Sequence, residues 1–254
     1  MPLEVAYTQH HGKDWRFPTQ QDALWDGTQV FQARNLACTQ YATEGDLLSV
    51  AVADGVGSSP HAERASRLVL DAVATELAAG ALFDIRLLRR VQGRLCDDLA
   101  TGETFGAATT LAAAQIRGDR CTVMNVGDSR VYRIAGGGEW QKLSHDHTVI
   151  NAMIDRGEAE ADREYASIYN ILESCLIADD EETEFAVHLR EASLLPGDSL
   201  LLCTDGVHDT LSDEVLKRLT NRSLAPLAQV QAWRKAVLAA GAPDNLSMVL
   251  VRKS

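Results

Sequence analysis

Apolar runs of strand length recur at 47–53, 107–116, 121–126, 131–134, 185–189, 199–203 and 246–251, with β-branched residues among them. Gly, Asp or Asn turn signals separate most of these runs. RGDR at 117–120 joins two of them through Gly118 and Asp119, and AGGGE at 135–139 follows a third, so the middle of the chain reads as an antiparallel meander. The period then changes from two to 3.6. Within 61–79, Ala65, Leu68, Val69, Ala72, Val73 and Leu77 share one face, and 82–99 repeats the pattern with Leu87, Leu88, Val91 and Leu95. Further helices are predicted at 148–156, stopped by Gly157, at 213–220, and at 227–240, with Gly241 in the stop position. Strands and helices are grouped rather than alternating. That predicts an α+β fold of layered antiparallel sheets, not a doubly wound parallel one.

Composition narrows the picture. The 254 residues suit one large hydrophobic core, and no linker divides them, so a single domain over 1–254 is expected. Lys and Arg number 24 against 36 Asp and Glu, a formal charge of −12, which argues against nucleic acid as a partner and leaves a surplus of hard oxygen donors for divalent cations. Five scattered cysteines, Cys38, Cys96, Cys121, Cys175 and Cys203, form no zinc-type spacing and read as reduced thiols. The first residues show no basic segment followed by an apolar run, and no apolar stretch of about 18 residues occurs. A cytoplasmic monomer without membrane contact is expected. The acidic run ADDEETE at 178–184 reads as an exposed loop.

Where the carboxylates fall is more informative than how many there are. ADG at 53–55 follows one apolar run, TDG at 204–206 follows another, GDSR at 127–130 places Asp128 after a third, and Asp244 with Asn245 stands immediately before a fourth. Each alone is ordinary turn chemistry. If the strands pack side by side, however, Asp54, Asp128, Asp205 and Asp244 meet at one rim. A cluster of that kind repels itself until divalent cations enter it, and Mg²⁺ and Mn²⁺ take such oxygen shells. Gly55, lacking a Cβ, can also offer its carbonyl to an ion. Two ions about 3.5–4 Å apart across a shared carboxylate define the two-metal hydrolytic site, with Asp54 the candidate bridge.

With these residues in view, the ordered set QQDA (20–23), VADGVG (52–57), GAATTL (106–111), VGDSRVYR (126–133), LSHDHT (143–148), LLLCTDGVHD (200–209) and PDNLS (243–247) resembles the metal-dependent serine/threonine protein phosphatases of type 2C, in particular their short bacterial members. The resemblance runs from about residue 20 to residue 252. It implies a four-layer α/β/β/α sandwich, two antiparallel sheets flanked by helix pairs. It further implies Asp54 as the bridging ligand, Asp205 and Asp244 on the first Mn²⁺ or Mg²⁺, Gly55 through its carbonyl and Asp22 on the second, and Asp128 with Asp205 on a third, weaker ion. Asp54, Asp205 and Asp244 are thereby the catalytic set. The implied reaction is hydrolysis of phosphoserine or phosphothreonine on protein substrates, opposing a bacterial Ser/Thr kinase.

The chain also departs from the family pattern. Gln20 stands in the Asn position of the N-(E/Q)-D motif, and Arg16, the candidate for holding substrate phosphate, lies one residue too far upstream. Ser58 replaces a glycine of DGxGG, and Val56 stands where eukaryotic members place a histidine, which leaves His61 and His208 as nearby alternatives, each more simply read as a surface or capping residue. The flap subregion, about 158–184, carries Tyr169–Asn170 in place of an Arg–Asn pair. Two other readings stay open: a metal phosphoesterase acting on small molecules, and a non-catalytic phosphoprotein-binding relative. All five implied carboxylates are present, which weighs against the second.

Overall fold

The computed structural model describes every residue except 1, 14–18, 162, 164, 167, 169, 170, 182 and 183. Two six-stranded antiparallel sheets dominate. The first contains β1 (Leu3–His10), β4 (Asn35–Thr43), β9 (Arg130–Ile134), β10 (Trp140–Lys142), β13 (Ser199–Cys203) and β14 (Leu246–Lys253), in the order β10-β9-β13-β14-β1-β4. The second contains β2 (Ala23–Trp25), β3 (Val30–Phe31), β5 (Leu47–Ala53), β7 (Leu111–Arg117), β8 (Arg120–Val126) and β12 (His188–Ser193), in the order β12-β8-β7-β5-β2-β3. A small ladder pairs β6 (Ala108–Thr109) with β11 (Leu176–Ile177). The helices are α1 (Ala62–Ala78), α2 (Ile85–Leu99), α3 (Val149–Asp155), the single turn α4 (Asp205–His208), α5 (Asp213–Leu219) and α6 (Pro226–Ala239).

Three apolar clusters define the layers. Alternation along β5 sends Leu48, Val50 and Val52 into the space between the sheets, where they meet Leu200 and Leu202 of β13 and Val249 and Val251 of β14. Ala51 and Ala53, on the opposite face of β5, pack with Val69, Val73, Leu88 and Val91 of α1 and α2. On the far side, Leu201 and Cys203 of β13 and Met248 and Leu250 of β14 bury Val230, Trp233 and Val237 of α6 with Leu216 of α5. The order is therefore helix pair, sheet, sheet, helix pair, as the family resemblance implied. Asp84 caps α2, accepting from the amides of Arg86 at 2.8 Å and Leu87 at 3.3 Å. None of the described helices is long and apolar enough to cross a membrane.

Several elements differ from the sequence expectation, each for a physical reason. The run at 107–116 divides at Thr110 into β6 and β7, because it changes partners there: β6 pairs with β11, β7 pairs with β5 and β8, and the Thr110 amide between them donates to the Asp54 carbonyl. The strand expected at 185–189 lies later, as β12, an edge strand whose alternation is only half-buried. β1 and β4 escaped notice: β4 reads NLACTQYAT with no fully buried position, and β1 carries Thr8 and Gln9, polar yet wholly buried.

Candidate metal centre

Four turns converge on one edge of the sandwich. β5 delivers Asp54, β8 leads through Gly127 to Asp128, β13 leads through Thr204 to Asp205, and Asp244 precedes β14. Asp54, Asp128, Asp205 and Asp244 line a single cavity of about 220 Å³ together with Gly55, Gln21, Thr110 and Leu172. Among the described residues, which do not include Arg16, no lysine, arginine or histidine lines it.

The glycines of the two Asp-Gly pairs are explained by close approach. A Cβ on Gly55 would stand 2.5 Å from the Ala62 carbonyl oxygen, so α1 can begin against this turn only if the position is glycine. A Cβ on Gly206 would lie 1.8 Å from the carbonyl oxygen of Asn245, and its absence lets α4 pack beside the Asp244–Asn245 turn. Crowding therefore requires glycine at both positions, whether or not the Gly55 carbonyl meets an ion.

Asp54 is clamped by the residues that interrupt β6 and β7. Its amide donates to the Thr110 hydroxyl at 3.0 Å, and its carbonyl accepts from the Thr110 amide and the Thr109 hydroxyl, both at 2.8 Å. The Thr110 hydroxyl also meets that of Ser129 at 2.7 Å, which couples the Asp54 turn to the residue after Asp128. The Asp128 turn is held from behind. Gly127 donates its amide to His147 Nδ1 at 3.0 Å, the His147 amide donates to the Gly127 carbonyl at 3.1 Å, and Asn125 Nδ2 donates to Gly127 O at 3.1 Å and to His145 O at 2.7 Å. Burial lowers the His147 pKa to about 4, so the ring is neutral and Nδ1 is free to accept. Arg130 binds Asp146 through Nε at 2.9 Å and Nη2 at 2.7 Å, tying the LSHDHT segment to the GDSR turn a second time.

Asp22 sits differently. It is fully buried and is not among the lining residues; Gln21 is. Asp22 Oδ2 accepts from the hydroxyls of Thr204 and Ser247, each at 2.8 Å, while Oδ1 has no hydrogen-bond partner among the described residues. The Gln21 amide donates to Asn245 Oδ1 at 2.5 Å, and Asn245 Nδ2 donates to the His11 carbonyl at 2.9 Å, so QQDA and PDNLS are tied together.

The electrostatics are those of unneutralised acids. Burial, then the charge of Asp205, raises the Asp54 pKa well above the usual range. Burial raises Asp22 and Asp128 to about 8, with Asp205 adding to both. Asp205 Oδ1, like Asp22 Oδ1, is buried without a partner among the described residues. Among those residues no three His, Cys, Asp or Glu side chains are already gathered closely enough to hold an ion. The carboxylates ring a cavity instead, and its all-oxygen, uncompensated donor set fits hard divalent cations.

The two histidines weighed in the sequence lie elsewhere. His61 is the residue before α1, with φ of 49°, and its Nδ1 is 3.6 Å from Glu63. His208 is buried in α4 and pairs through Nδ1 with Asp209 at 3.0 Å. Arg16 and Tyr169–Asn170 fall outside the described residues. The flap returns to the site through the pairing of Thr148 with Leu172, which lines the cavity, and through β11 on β6. Sequence reasoning assigned nothing to Thr110, His147, Gln21 or Asn245; the available signal was a polar residue inside each quoted motif.

This fold and rim define a phosphatase class. Residues 35–241 match the protein phosphatase 2C family, and the chain belongs to that family. Its relatives include the serine/threonine protein phosphatase PstP of Mycobacterium tuberculosis, 30% identical over 213 residues that make up 79% of this chain and 39% of PstP. The chain thus spans well under half the length of that relative. The serine/threonine phosphatase stp of Listeria welshimeri is 29% identical over 220 residues, covering 81% of this chain and 84% of stp. The crystal structure of the PstP catalytic domain in complex with two manganese ions superposes with a TM-score of 0.72 at 22% identity, over 99% of both chains, a likeness of fold.

Proposed function

We propose that this chain is a single catalytic domain that hydrolyses phosphoserine and phosphothreonine in proteins, using two divalent cations held at the acidic rim. One observation carries the reading: Asp54, Asp128, Asp205 and Asp244 line one cavity, with no basic residue in its wall among the described residues. In this assignment Asp54, Asp205 and Asp244 would hold the first ion, and Asp54, the Gly55 carbonyl and Asp22 the second. Asp22 would offer Oδ1, since Thr204 and Ser247 occupy Oδ2. Asp128 with Asp205 would hold a third, weaker ion. Mn²⁺ is favoured over Mg²⁺ by the two manganese ions of PstP.

Such a pair supplies a water acidified for in-line attack on phosphorus and charge to stabilise the phosphoryl oxygens. The chain's own part is geometric. Thr109 and Thr110 fix the Asp54 peptide, Asn245 holds the Gln21 backbone in the wall, and His147 keeps the Asp128 turn in place. No cysteine lines the cavity and none serves as nucleophile. No histidine lines it either, so no imidazole stands there to protonate the departing serine or threonine alkoxide. Phosphorylated proteins, with a Ser/Thr kinase supplying them, are the partners this reaction requires, and the cytoplasm is the compartment proposed.

The test is hydrolysis of p-nitrophenyl phosphate and of phosphothreonine peptides with added Mn²⁺, with Mg²⁺ and with EDTA. Metal-dependent turnover of the peptides is expected. Turnover of nucleotides or sugar phosphates in preference to peptides would replace the protein substrate with a small one, and no turnover under any metal would leave a binding relative.

A further inference from the structure

A second cavity, of about 390 Å³, opens where β9 ends and β13 begins, with the last turn of β14 beside it. It lies at the end of the sheet remote from Asp205, roughly 15–20 Å away along β13. Ile134, Ser199, Leu250 and Arg252 contribute from the strands, Arg222 from the segment between α5 and α6, and Trp233 from α6. No carboxylate lines it, in a chain of net charge −12. An adjoining hollow of about 340 Å³ shares Thr220 and Arg222, adds Lys217, and also lacks a carboxylate.

Neither arginine forms an ion pair among the described residues. Other arginines of this sheet do: Arg133 meets Asp198 at 2.7 Å and Arg130 meets Asp146 at the same distance. Arg252 instead donates from Nε to the Ser199 hydroxyl at 3.2 Å and from Nη1 to the Leu224 carbonyl at 2.6 Å, and Arg222 donates to the Gly136 carbonyl. Glu4 is the cross-strand neighbour of Arg252 on β1, yet burial outweighs it and lowers the Arg252 pKa. Trp233 is fully buried, and its indole N–H has no acceptor among the described residues. A buried donor without an acceptor costs about 1–3 kcal/mol, so the orphaned Trp233 N–H, beside two arginines bonded only to neutral oxygens, favours an acceptor-rich occupant.

We propose that this cavity binds a small organic anion: one phosphate, phosphonate or carboxylate head held by Arg222 and Arg252, its body bordered by Thr220 and Ser223, with Trp233 and Leu250 closing the floor beneath. Arginine suits planar or tetrahedral oxyanions through its paired donors, and the mixed wall suits an organic body better than a bare ion.

The test uses the full chain in Mg²⁺ buffer, labelled with [¹⁵N]tryptophan, titrated with phenylphosphonate, with benzoate and with inorganic phosphate. Trp233→Phe identifies the Trp233 indole resonance. A saturable shift of that resonance is expected with phenylphosphonate or benzoate, and whichever binds more tightly identifies the head group. Arg252→Gln and Arg222→Gln should each weaken binding by about tenfold or more, the loss of one charged hydrogen bond. Asp54→Asn should leave it unchanged. No saturable shift with any probe, undiminished binding in Arg222→Gln, or loss of the shift in Asp54→Asn would each overturn the proposal. Arg222 is exposed, so its variant decides the matter even if Arg252→Gln does not fold.

Discussion

β13 and β14 run antiparallel between two cavities of opposite character. At one end they lead to Asp205 and Asp244 in a wall that, among the described residues, holds four aspartates and no cation; at the other, Ser199, Leu250 and Arg252 border a wall with two arginines and, among those residues, no acid. Between these ends the strand residues are uncharged and buried. What differs is where the polar residues are placed. At the acidic end they occupy turns just beyond the strands, with glycines that let helices crowd in and bury the carboxylates. At the basic end they are long side chains reaching from the last strand positions and from a loop, so their charge stays near solvent. Deep burial of like charges makes the acidic end depend on a counter-ion, whereas the basic end merely accommodates one.

The comparison breaks most sharply if the acidic end proves inert. Asp54→Asn and Asp205→Asn should each reduce Mn²⁺-dependent hydrolysis of p-nitrophenyl phosphate to the level seen with EDTA. Both variants should retain the native circular dichroism spectrum. Asp54→Asn should also raise the melting temperature of the metal-free protein near neutral pH, since it removes the cost of keeping a proton on a carboxyl group whose ionisation burial and Asp205 oppose. Residual turnover near the parent value in both variants would remove the two-ion assignment.

A smaller loss is expected behind the rim. His147→Ala takes away the acceptor for the Gly127 amide and frees the turn that carries Asp128. Outer partners of metal ligands are worth about 10–100-fold, so kcat should fall by roughly that factor. The apparent Mn²⁺ requirement should rise. His147→Gln, which can restore an acceptor, should recover part of the rate; equal loss in both variants would mean that the ring matters only as packing.

Much of this end was legible in the sequence because its signals are local. The apolar run 199–203 is β13 residue for residue, and the aspartates of the Asp-Gly pairs that follow β5 and β13 stand in the same cavity wall. The layered fold followed from the switch between periods of two and 3.6. The clamps were not legible, because Thr110 with Ser129, Gln21 with Asn245, and Gly127 with His147 are each a contact between segments far apart in the chain. β1 and β4 were missed since a central strand with buried Thr8 and Gln9, and an edge strand with polar faces, both lack clean alternation. The basic cavity was invisible for a related reason: Arg222 and Arg252 are 30 positions apart, and neither stands in a motif.

The gentlest test concerns pH. Asp22 and Asp128 have folded pKa values raised to about 8, against 3.8 for the ordinary side chain. Between those values the metal-free folded protein keeps protons that the unfolded chain has released, so its stability must fall as pH rises. His147 works in the opposite sense, because its lowered pKa of about 4 makes folding more favourable as pH climbs to the ordinary histidine value of 6.5. That contribution saturates within about one pH unit above 6.5, and the cysteine thiols of the unfolded chain titrate only around 9. The window from about 7 to 8 is therefore dominated by the carboxylates. Each costs up to about 1.4 kcal/mol per pH unit there, or roughly 3–6 °C of melting temperature. In EDTA, Tm should decline steadily across the window. Added Mn²⁺, which binds the deprotonated form, should raise Tm most at pH 8. A flat or rising profile in EDTA would show that the aspartates already find compensation without an ion, and the contrast between the two ends of β13 and β14 would lose its energetic basis.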